Sequence, residues 1–368
     1  MVADGRGDEV RDGVRIVDAG LSGALSAHPA HPAPGSGNEA TPRHRQGAMV
    51  KRLERMVFTT RRVAARALEL EPDLVQLHDP ELLPAGLRLQ RAGIRVVFDA
   101  HEDVPTQLLD KPYLPPLAAR LLSRAYARYE RFACARLDGV LAATPHIRAR
   151  LEDINPCTLD VANYPLLEEF APADGEAART EVCYVGSISA LRGIRELVHA
   201  CALLRTPVTL TLAGSFSEAV LETEVTALPG WSRVRSLGHL DRTGVADVMK
   251  RACAGLVTLL PTASYREALP VKMFEYMAAG IPVIASDFPR WRAIVDASEC
   301  GLCVDPRDAA AIAAAIDRLA GDPALARRMG ANGRRAVEQH YNWRHEAQKL
   351  IRFYANLCRR PLAHRLAL

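Results

Sequence analysis

With 368 residues, 49% of them apolar and 24% charged, the chain is long enough for two domains that each bury a core, in the composition range of ordinary globular proteins. A net charge of +4 makes no electrostatic case for nucleic acid, and no nucleic-acid-binding signature is present. No apolar run approaches the roughly twenty residues that span a bilayer, and the opening MVADGRGDEVRDG lacks the apolar core of a signal peptide, so a cytoplasmic location is expected.

Residues 1 to about 50 differ from the rest. Gly13 to Gly20 reads as one strand, whereas Ser22 to Gly47 is rich in Ala, His, Pro, Gly and Ser without apolar periodicity and reads as a loose loop. From Met49 to Leu70, Leu53, Val57, Val63 and Leu68 recur at the spacing of a helix with one buried face and a basic outer side. Asp73 to His78 is then a buried strand, a helix runs through Leu89, and Arg95 to His101 is the next strand, which together imply a parallel sheet. Polar clusters follow both strands: His78, Asp79 and Glu81 after the first, His101, Glu102 and Asp103 after the second. The carboxyl ends of strands are where open α/β sheets bind ligands, although Asp79 and Glu81 also suit a helix start. A long basic helix from about Leu117 to Arg136 carries Arg120, Arg124 and Arg128 beside Leu121, Leu122, Tyr126 and Tyr129, a pattern expected to rest on an anionic membrane surface or to be a solvated face. LDGVLAAT is another strand, and Val161 to Pro165 closes the domain.

The second half repeats the logic. Strands are expected at Glu181 to Ser187, 208–214, 233–238, 254–261 and 301–305, with helices between them. Only Cys300 and Cys303 among the eight cysteines form a C-x-x-C pair; with no second Cys or His pair nearby they read as small buried apolar residues. Two stretches carry chemistry. In VGSISALRG, Val185 to Gly193, glycines in a strand-to-helix turn let backbone approach phosphate closely. In YREALPVKMFEYMAAGIPVIASD, Tyr265 to Asp287, Pro270 suits a first helical position and Gly280 a left-handed stop, bracketing a helix of about three turns before the strand at Val283 to Ser286. The N-terminus of that helix, with Lys272 in its first turn, favours an anion, and phosphate is the expected guest. Glu267, in the preceding loop, and Glu275, one turn inside the helix, are acceptors suited to sugar and ribose hydroxyls.

Glu267, seven residues, Glu275, taken with Pro270, Lys272, Phe274, Gly280 and the following strand, resembles the signature of the retaining glycosyltransferases of family 4, similar to members that build bacterial surface polysaccharides. The resemblance implies an α/β fold of two Rossmann-like domains in the GT-B arrangement: residues 1–165 on the acceptor side, 166–342 for the nucleotide sugar, and a last helix from about Trp343 that crosses back to the first domain. It implies transfer of a hexose-type sugar from a nucleotide-sugar donor to a glycan or lipid-linked acceptor with retention of configuration, with the nucleotide sugar as co-substrate and no metal or other cofactor. Gly186, Ser187, Arg192, Leu269, Val271, Lys272 and Glu275 are then expected at the donor, with His101 and Glu267 at the transferred sugar. One departure stands out: the family places an arginine after the first glycine of the phosphate loop, where this chain has Ser187, while Arg192 matches the family's lysine in charge. Lys272 is expected to replace the missing cation. Two rival expectations are a metal-dependent hydrolase or deacetylase built on His78, Asp79, His101 and Asp103, and a non-catalytic sugar-nucleotide-binding partner. The family comparison also implies a chain that begins late, with GVRIVDAG as third strand and the two central strands of the first sheet upstream of Met1.

Overall fold

The computed structural model describes residues 9–11, 14–17, 58–111, 114–170 and 179–359. The chain divides into two compact units: residues 1–102, 124–160 and 353–368 in the first, 103–123 and 161–352 in the second. Asp103–Ser123, assigned by sequence to the first domain, thus clusters with the second unit.

In the first unit the described strands form two sheets. β1 (Glu9–Arg11) and β2 (Val14–Ile16) pair antiparallel, with Glu9 opposite Ile16. β3 (Leu74–Leu77), β4 (Arg95–Ala100), β5 (Gly139–Ala142) and β6 (Thr158–Asp160) form a parallel sheet in that spatial order. Val14–Ile16 falls within the strand expected over Gly13 to Gly20, whose outer residues lie outside the described residues, and Glu9–Arg11 is a strand the sequence reading does not include. Glu9–Arg11 takes up the hydrogen bonds of Val14–Ile16, and the Asp12-Gly13 pair between them in sequence is one that two-residue hairpin connections favour. The helix expected from Met49 is described over 58–69 (α1), and its inward face also differs. Ala64 and Ala67 are buried while Leu68 is 40% exposed. α2 (Leu83–Arg91) covers the sheet with Leu83, Leu87 and Leu89 against Leu77, Val96, Phe98 and Val140. α5 (Pro145–Leu151) leads into β6, and the buried Asn155 between them donates to the carbonyls of Cys134 and Leu137 at 2.9 Å each.

The second unit has one six-stranded sheet, all parallel, in the order β12-β11-β10-β7-β8-β9. Its strands are β7 (Glu181–Val185), β8 (Thr209–Ala213), β9 (Val234–Ser236), β10 (Ala252–Val257), β11 (Val283–Ser286) and β12 (Gly301–Val304). The chain runs outward from β7 through β8 to β9, then returns to the other side of β7 with β10, so the order reverses between β7 and β10, the crevice where doubly wound sheets bind ligands. Alternate residues of β7 serve opposite faces. Val182 and Tyr184 meet α6 (Ile194–Leu203) and α12 (Ala309–Gly321) through Ile194, Leu197, Ile312 and Ile316. Cys183 and Val185 meet α8 (Arg242–Arg251), α10 (Val271–Ala278), α11 (Pro289–Ser298) and α13 (Pro323–Gln339) through Met249, Met273, Phe274, Trp291 and Val337. Burial pushes the Cys300 thiol up to about 12 and that of Cys303 to about 11, which fits the reading of these cysteines as packing residues.

One close approach sets the height of α10 on the sheet. The ring of the fully buried Tyr276 occupies the space where a Cβ on Gly255 would stand, 2.2 to 2.5 Å away, and its hydroxyl accepts the Val185 amide at 3.0 Å at the end of β7. Gly255→Ala should therefore push α10 off the sheet and cost about 2 kcal/mol, as overpacking does, a fall in Tm of roughly 4–8 °C. A thermal melt within a degree of wild type would show that the ring can move aside.

Candidate active site

Three strand-end turns meet at the crevice. Gly186, with φ of 118°, follows β7; its amide donates to Ala213 at 2.7 Å, and the Gly214 amide in turn donates to Gly238 at 2.7 Å. A Cβ on Gly214 would fall 1.9 Å from the Gly186 carbonyl oxygen, so only glycine lets the turns after β7 and β8 lie this close. Ile188 donates to Ser215 and Ser217 donates back to Ile188, at 3.0 and 2.9 Å, which fastens the phosphate-type loop to its neighbour. Beside this junction is a cleft of about 390 Å³ lined by Gly186, Ser187, Ser215, Phe216, His239 and Leu240. The loop ends in a 3-10 turn, Ala190–Arg192, and the left-handed Gly193 before α6.

Lys272 reaches this junction from the first turn of α10. Its side chain runs over Gly186 so closely that a Cβ there would stand 2.4 Å from Cε and 2.5 Å from Nζ, and the ammonium lies 5.5 Å from the Tyr184 ring centroid. Burial, helped by the Arg192 charge and opposed by Glu275, lowers the Lys272 pKa to about 8. The structure thus brings Gly186, Arg192, Lys272 and Glu275 together. Glu275, mostly buried, has its pKa raised by burial, against the lowering effect of Arg242, 3.9 Å away, and Lys272. Arg242 also binds Glu169. Ser187 supplies no charge and is engaged with Ser217, Oγ to Oγ at 2.8 Å. Leu269 is half-buried and Val271 is 37% exposed, on either side of Pro270.

Two local expectations need correction. Pro270 is the cap of α10 rather than its first residue, and the helix has eight residues, nearer two turns than three. Glu267 is not in a loop: it ends a short helix, α9 (Ala263–Glu267), whose cap Thr262 accepts the Tyr265 amide. Gly280 does take the left-handed conformation, at φ of 69°.

Sequence alone missed what holds Glu267. Arg290, in the first turn of α11, donates to its carboxylate at 3.2 Å, and the fully buried Trp291 donates from Nε1 to the Ala268 carbonyl at 2.7 Å. Phe288 packs on Trp291 with ring centroids 4.7 Å apart. At the other end of α9 the amides of Ala263 and Ser264 donate to Asp110 at 3.3 and 2.9 Å; Asp110 follows α3 (Val104–Leu109). The only sequence signal is Pro289, a helix-starting residue two residues beyond a strand.

In the first unit His101 is exposed just beyond β4. His78 pairs with Asp99 at 3.1 Å and Asp79 occupies a cap position without a side-chain hydrogen bond, while Asp103, which belongs to the second unit, accepts from Thr106 at 2.7 Å. Among the described residues no three His, Cys, Asp or Glu side chains are grouped to hold a metal ion, so the hydrolase expectation gains no support.

Residues 16–161 match the family model described as Glycosyltransferase Family 4, and residues 169–336 that of the Glycosyl transferases group 1. The chain belongs to this glycosyltransferase family. It is 28% identical over 200 residues to a glycogen synthase of Mycobacterium tuberculosis, covering 53% of this chain and 46% of that one, so the chain spans about half the length of such curated relatives. A phosphatidyl-myo-inositol mannosyltransferase of Mycolicibacterium smegmatis is 27% identical over 335 residues, 87% of this chain and 80% of the relative. Sucrose-phosphate synthase of Thermosynechococcus elongatus shares the fold with a TM-score of 0.72 at 24% identity, over 95% of this chain and 84% of that one. The fold is thus that of the GT-B glycosyltransferases.

Two predictions follow from the geometry. An anion bound at Lys272 favours its protonated form and raises its pKa above 8, so nucleoside diphosphate binding above that pH takes up a proton and weakens as pH rises. Calorimetry at pH above 8 in buffers of different ionisation enthalpy should report more than half a proton taken up, and none for Lys272→Met; zero uptake by the unaltered protein would place the anion elsewhere. Arg290→Met should cut turnover at least ten-fold, about 1.4 kcal/mol, with nucleoside diphosphate affinity retained and Arg290→Lys partly restoring the rate. Equal loss in both variants, or loss of nucleotide affinity, would contradict a positioning role.

Proposed function

We propose that this protein transfers a glycosyl group from a nucleoside diphosphate sugar to a hydroxyl of a glycan or lipid-linked acceptor, with retention of configuration. The observation that carries the reading is Lys272 laid over Gly186, with the charges of Arg192 and Glu275 acting on it, at the point where the strand order of the second sheet reverses. Family membership supports it. In this scheme the bond from the anomeric carbon to the diphosphate oxygen breaks as the acceptor oxygen bonds the same face, and the acceptor proton leaves with the diphosphate.

The departing diphosphate gains about one negative charge, and cations already held in place stabilise that charge without rearranging. Lys272 and Arg192 would fill that role. Glu275, kept in place beside Arg242, would accept hydrogen bonds from ribose hydroxyls, and Glu267, held by Arg290, from those of the transferred sugar. Leu269 and Val271 would border the donor, and His101 is proposed to donate a hydrogen bond to the sugar. No metal takes part in this scheme, so transfer should persist in EDTA.

A panel of nucleoside diphosphate sugars, screened first by thermal shift, identifies the donor, since a ligand stabilises according to its occupancy. With that donor, Glu267→Gln and Glu275→Gln should each reduce transfer at least ten-fold, about 1.4 kcal/mol of barrier, with the melting temperature unchanged. Wild-type rates in both variants would refute the assignment of the donor site.

A further inference from the structure

A second cleft lies at the other end of the second unit's sheet. It measures about 420 Å³ and is lined by polar groups of Asp296, Glu299, Asn332, Arg335, Gln339 and His340, all within that unit. The donor crevice is at the carboxyl ends of the strands, whereas α11 starts beyond the carboxyl end of β11 and returns to the amino end of β12, so Asp296 and Glu299 stand at the far end. α13 passes the same end: a Cβ on Gly330 would stand 2.1 Å from the carbonyl oxygen of Gly280, just before β11.

Asn332, Arg335 and Gln339 recur at i, i+3 and i+7, which places them on one face of α13. Asn332 ties that face to the turn after α11, donating to the Glu299 carbonyl at 3.2 Å and accepting from Arg335. Glu299 closes α11 in the left-handed conformation, at φ of 46°, a position that helix ends usually give to glycine. A side chain there strains the backbone, and strained positions gather at ligand sites. The Glu299 carboxylate and the Gln339 amide have no partner among the described residues, while Asp296 faces Arg292 at 3.8 Å. Beside these groups the exposed His340 ring meets the Tyr341 ring edge to face, with centroids 6.2 Å apart. Tyr341 is fixed in turn against Phe274 and Tyr164, at 5.1 and 5.5 Å.

We propose that this cleft is a second binding site, for a neutral saccharide. Its side chains set acceptors beside donors and carry opposite charges, so Glu299 repels an anionic ligand and Arg335 a cationic one, whereas neutral groups that donate and accept at once meet neither penalty. Vicinal sugar hydroxyls are such groups. Adjacent hydroxyls would bridge the Glu299 carboxylate to the Arg335 guanidinium and the Gln339 amide, and a C–H face of the sugar ring would rest on His340. The cleft is in the size range of small-ligand sites. A glycan bound there is held apart from the donor crevice, at the opposite end of the same sheet. The choice of a glycan draws on family membership and not on the donor assignment, so the two stand or fall separately.

The test is binding of the full chain to an array of neutral hexose, N-acetylhexosamine and deoxyhexose oligomers, with uronic acid oligomers as the anionic control. At least one neutral class should be bound at least ten-fold more tightly than the uronic acids. Glu299→Gly removes the carboxylate and relieves the left-handed turn, so the melting temperature should hold or rise while glycan binding falls at least ten-fold. His340→Ala, which leaves that turn intact, should lower binding at least five-fold. Glu267→Gln, at the donor crevice, should leave glycan binding unchanged. Failure of the wild type to bind any neutral oligomer overturns the proposal, as do equal binding by Glu299→Gly and His340→Ala or tighter binding of the uronic acids. Loss of binding in Glu267→Gln assigns the glycan to the crevice and also overturns it. Wild-type transfer by Glu267→Gln with the loss confined to Glu299→Gly and His340→Ala upholds this site and counts against the donor assignment alone.

Discussion

The absence of a side chain at Gly214 and Gly186 is the constraint on which the rest of the site depends. Where β7 and β8 end, the Gly186 carbonyl lies 1.9 Å from where a Gly214 Cβ would be, and Lys272 lies 2.4 Å from where a Gly186 Cβ would be. Two successive approaches of this kind leave a channel of backbone with a single cation laid over it. A Cβ at either position would move the turn, the lysine or both, and with them the relation between Arg192 and Glu275. The same logic recurs beneath the site, where Gly255 admits the ring of Tyr276 and so lets one hydroxyl tie α10 to the last amide of β7.

Charge is arranged around that channel in opposition rather than in pairs. Lys272 and Arg192 repel each other, and burial adds to the cost of holding Lys272 protonated, so its pKa is depressed; Glu275 offsets part of this, and Arg242 offsets part of the cost of ionising Glu275. A site with an excess of partly desolvated positive charge is poorly satisfied until an anion enters it. That is a different design from the surface of the same unit, where Arg195 and Glu224 or Arg292 and Asp287 neutralise each other at close range.

Much of this was legible in the chain, and the parts that were not share a cause. The strand positions of the second unit followed from β-branched runs between helical periods, and Gly280 announced the end of α10, because both signals are local. Lys272 and Glu275 could be singled out from the same local stretch, and Arg192 from the resemblance of its loop to the family's phosphate loop. Arg290 and Trp291 could not: they act 23 residues away from Glu267 and Ala268, across a helix and a strand, and nothing in FPRWR shows which carbonyl an indole will reach. Glu267 was misplaced in a loop because a five-residue helix is shorter than one hydrophobic period can reveal. Asp103–Ser123 was assigned by position in the chain, whereas its packing groups it with the second unit, and periodicity carries no information on that choice. The β1–β2 ribbon is only half legible: Val14–Ile16 lies in the expected strand, whereas Glu9–Arg11 is too short and too polar to show itself.

Ser187 shows how one missing charge changes the nature of the site. An arginine after the first glycine would project from a loop and would have to be ordered by the ligand it binds. Here the Ser187 hydroxyl is instead spent on Ser217, fixing the loop to the turn after β8 before any ligand arrives. A cation reaches the same turn from α10, a helix whose inward residues Met273, Phe274, Tyr276 and Met277 are fully buried, so the base of the Lys272 side chain is set by the core itself. Fixing a charge through the core lowers the reorganisation needed when negative charge develops, at the expense of desolvating the ammonium in the empty site. The pKa of about 8 reflects that desolvation. A loop cation can adapt its position; a helix cation held over a glycine is fixed in one place, beside the cleft lined by Phe216, His239 and Leu240.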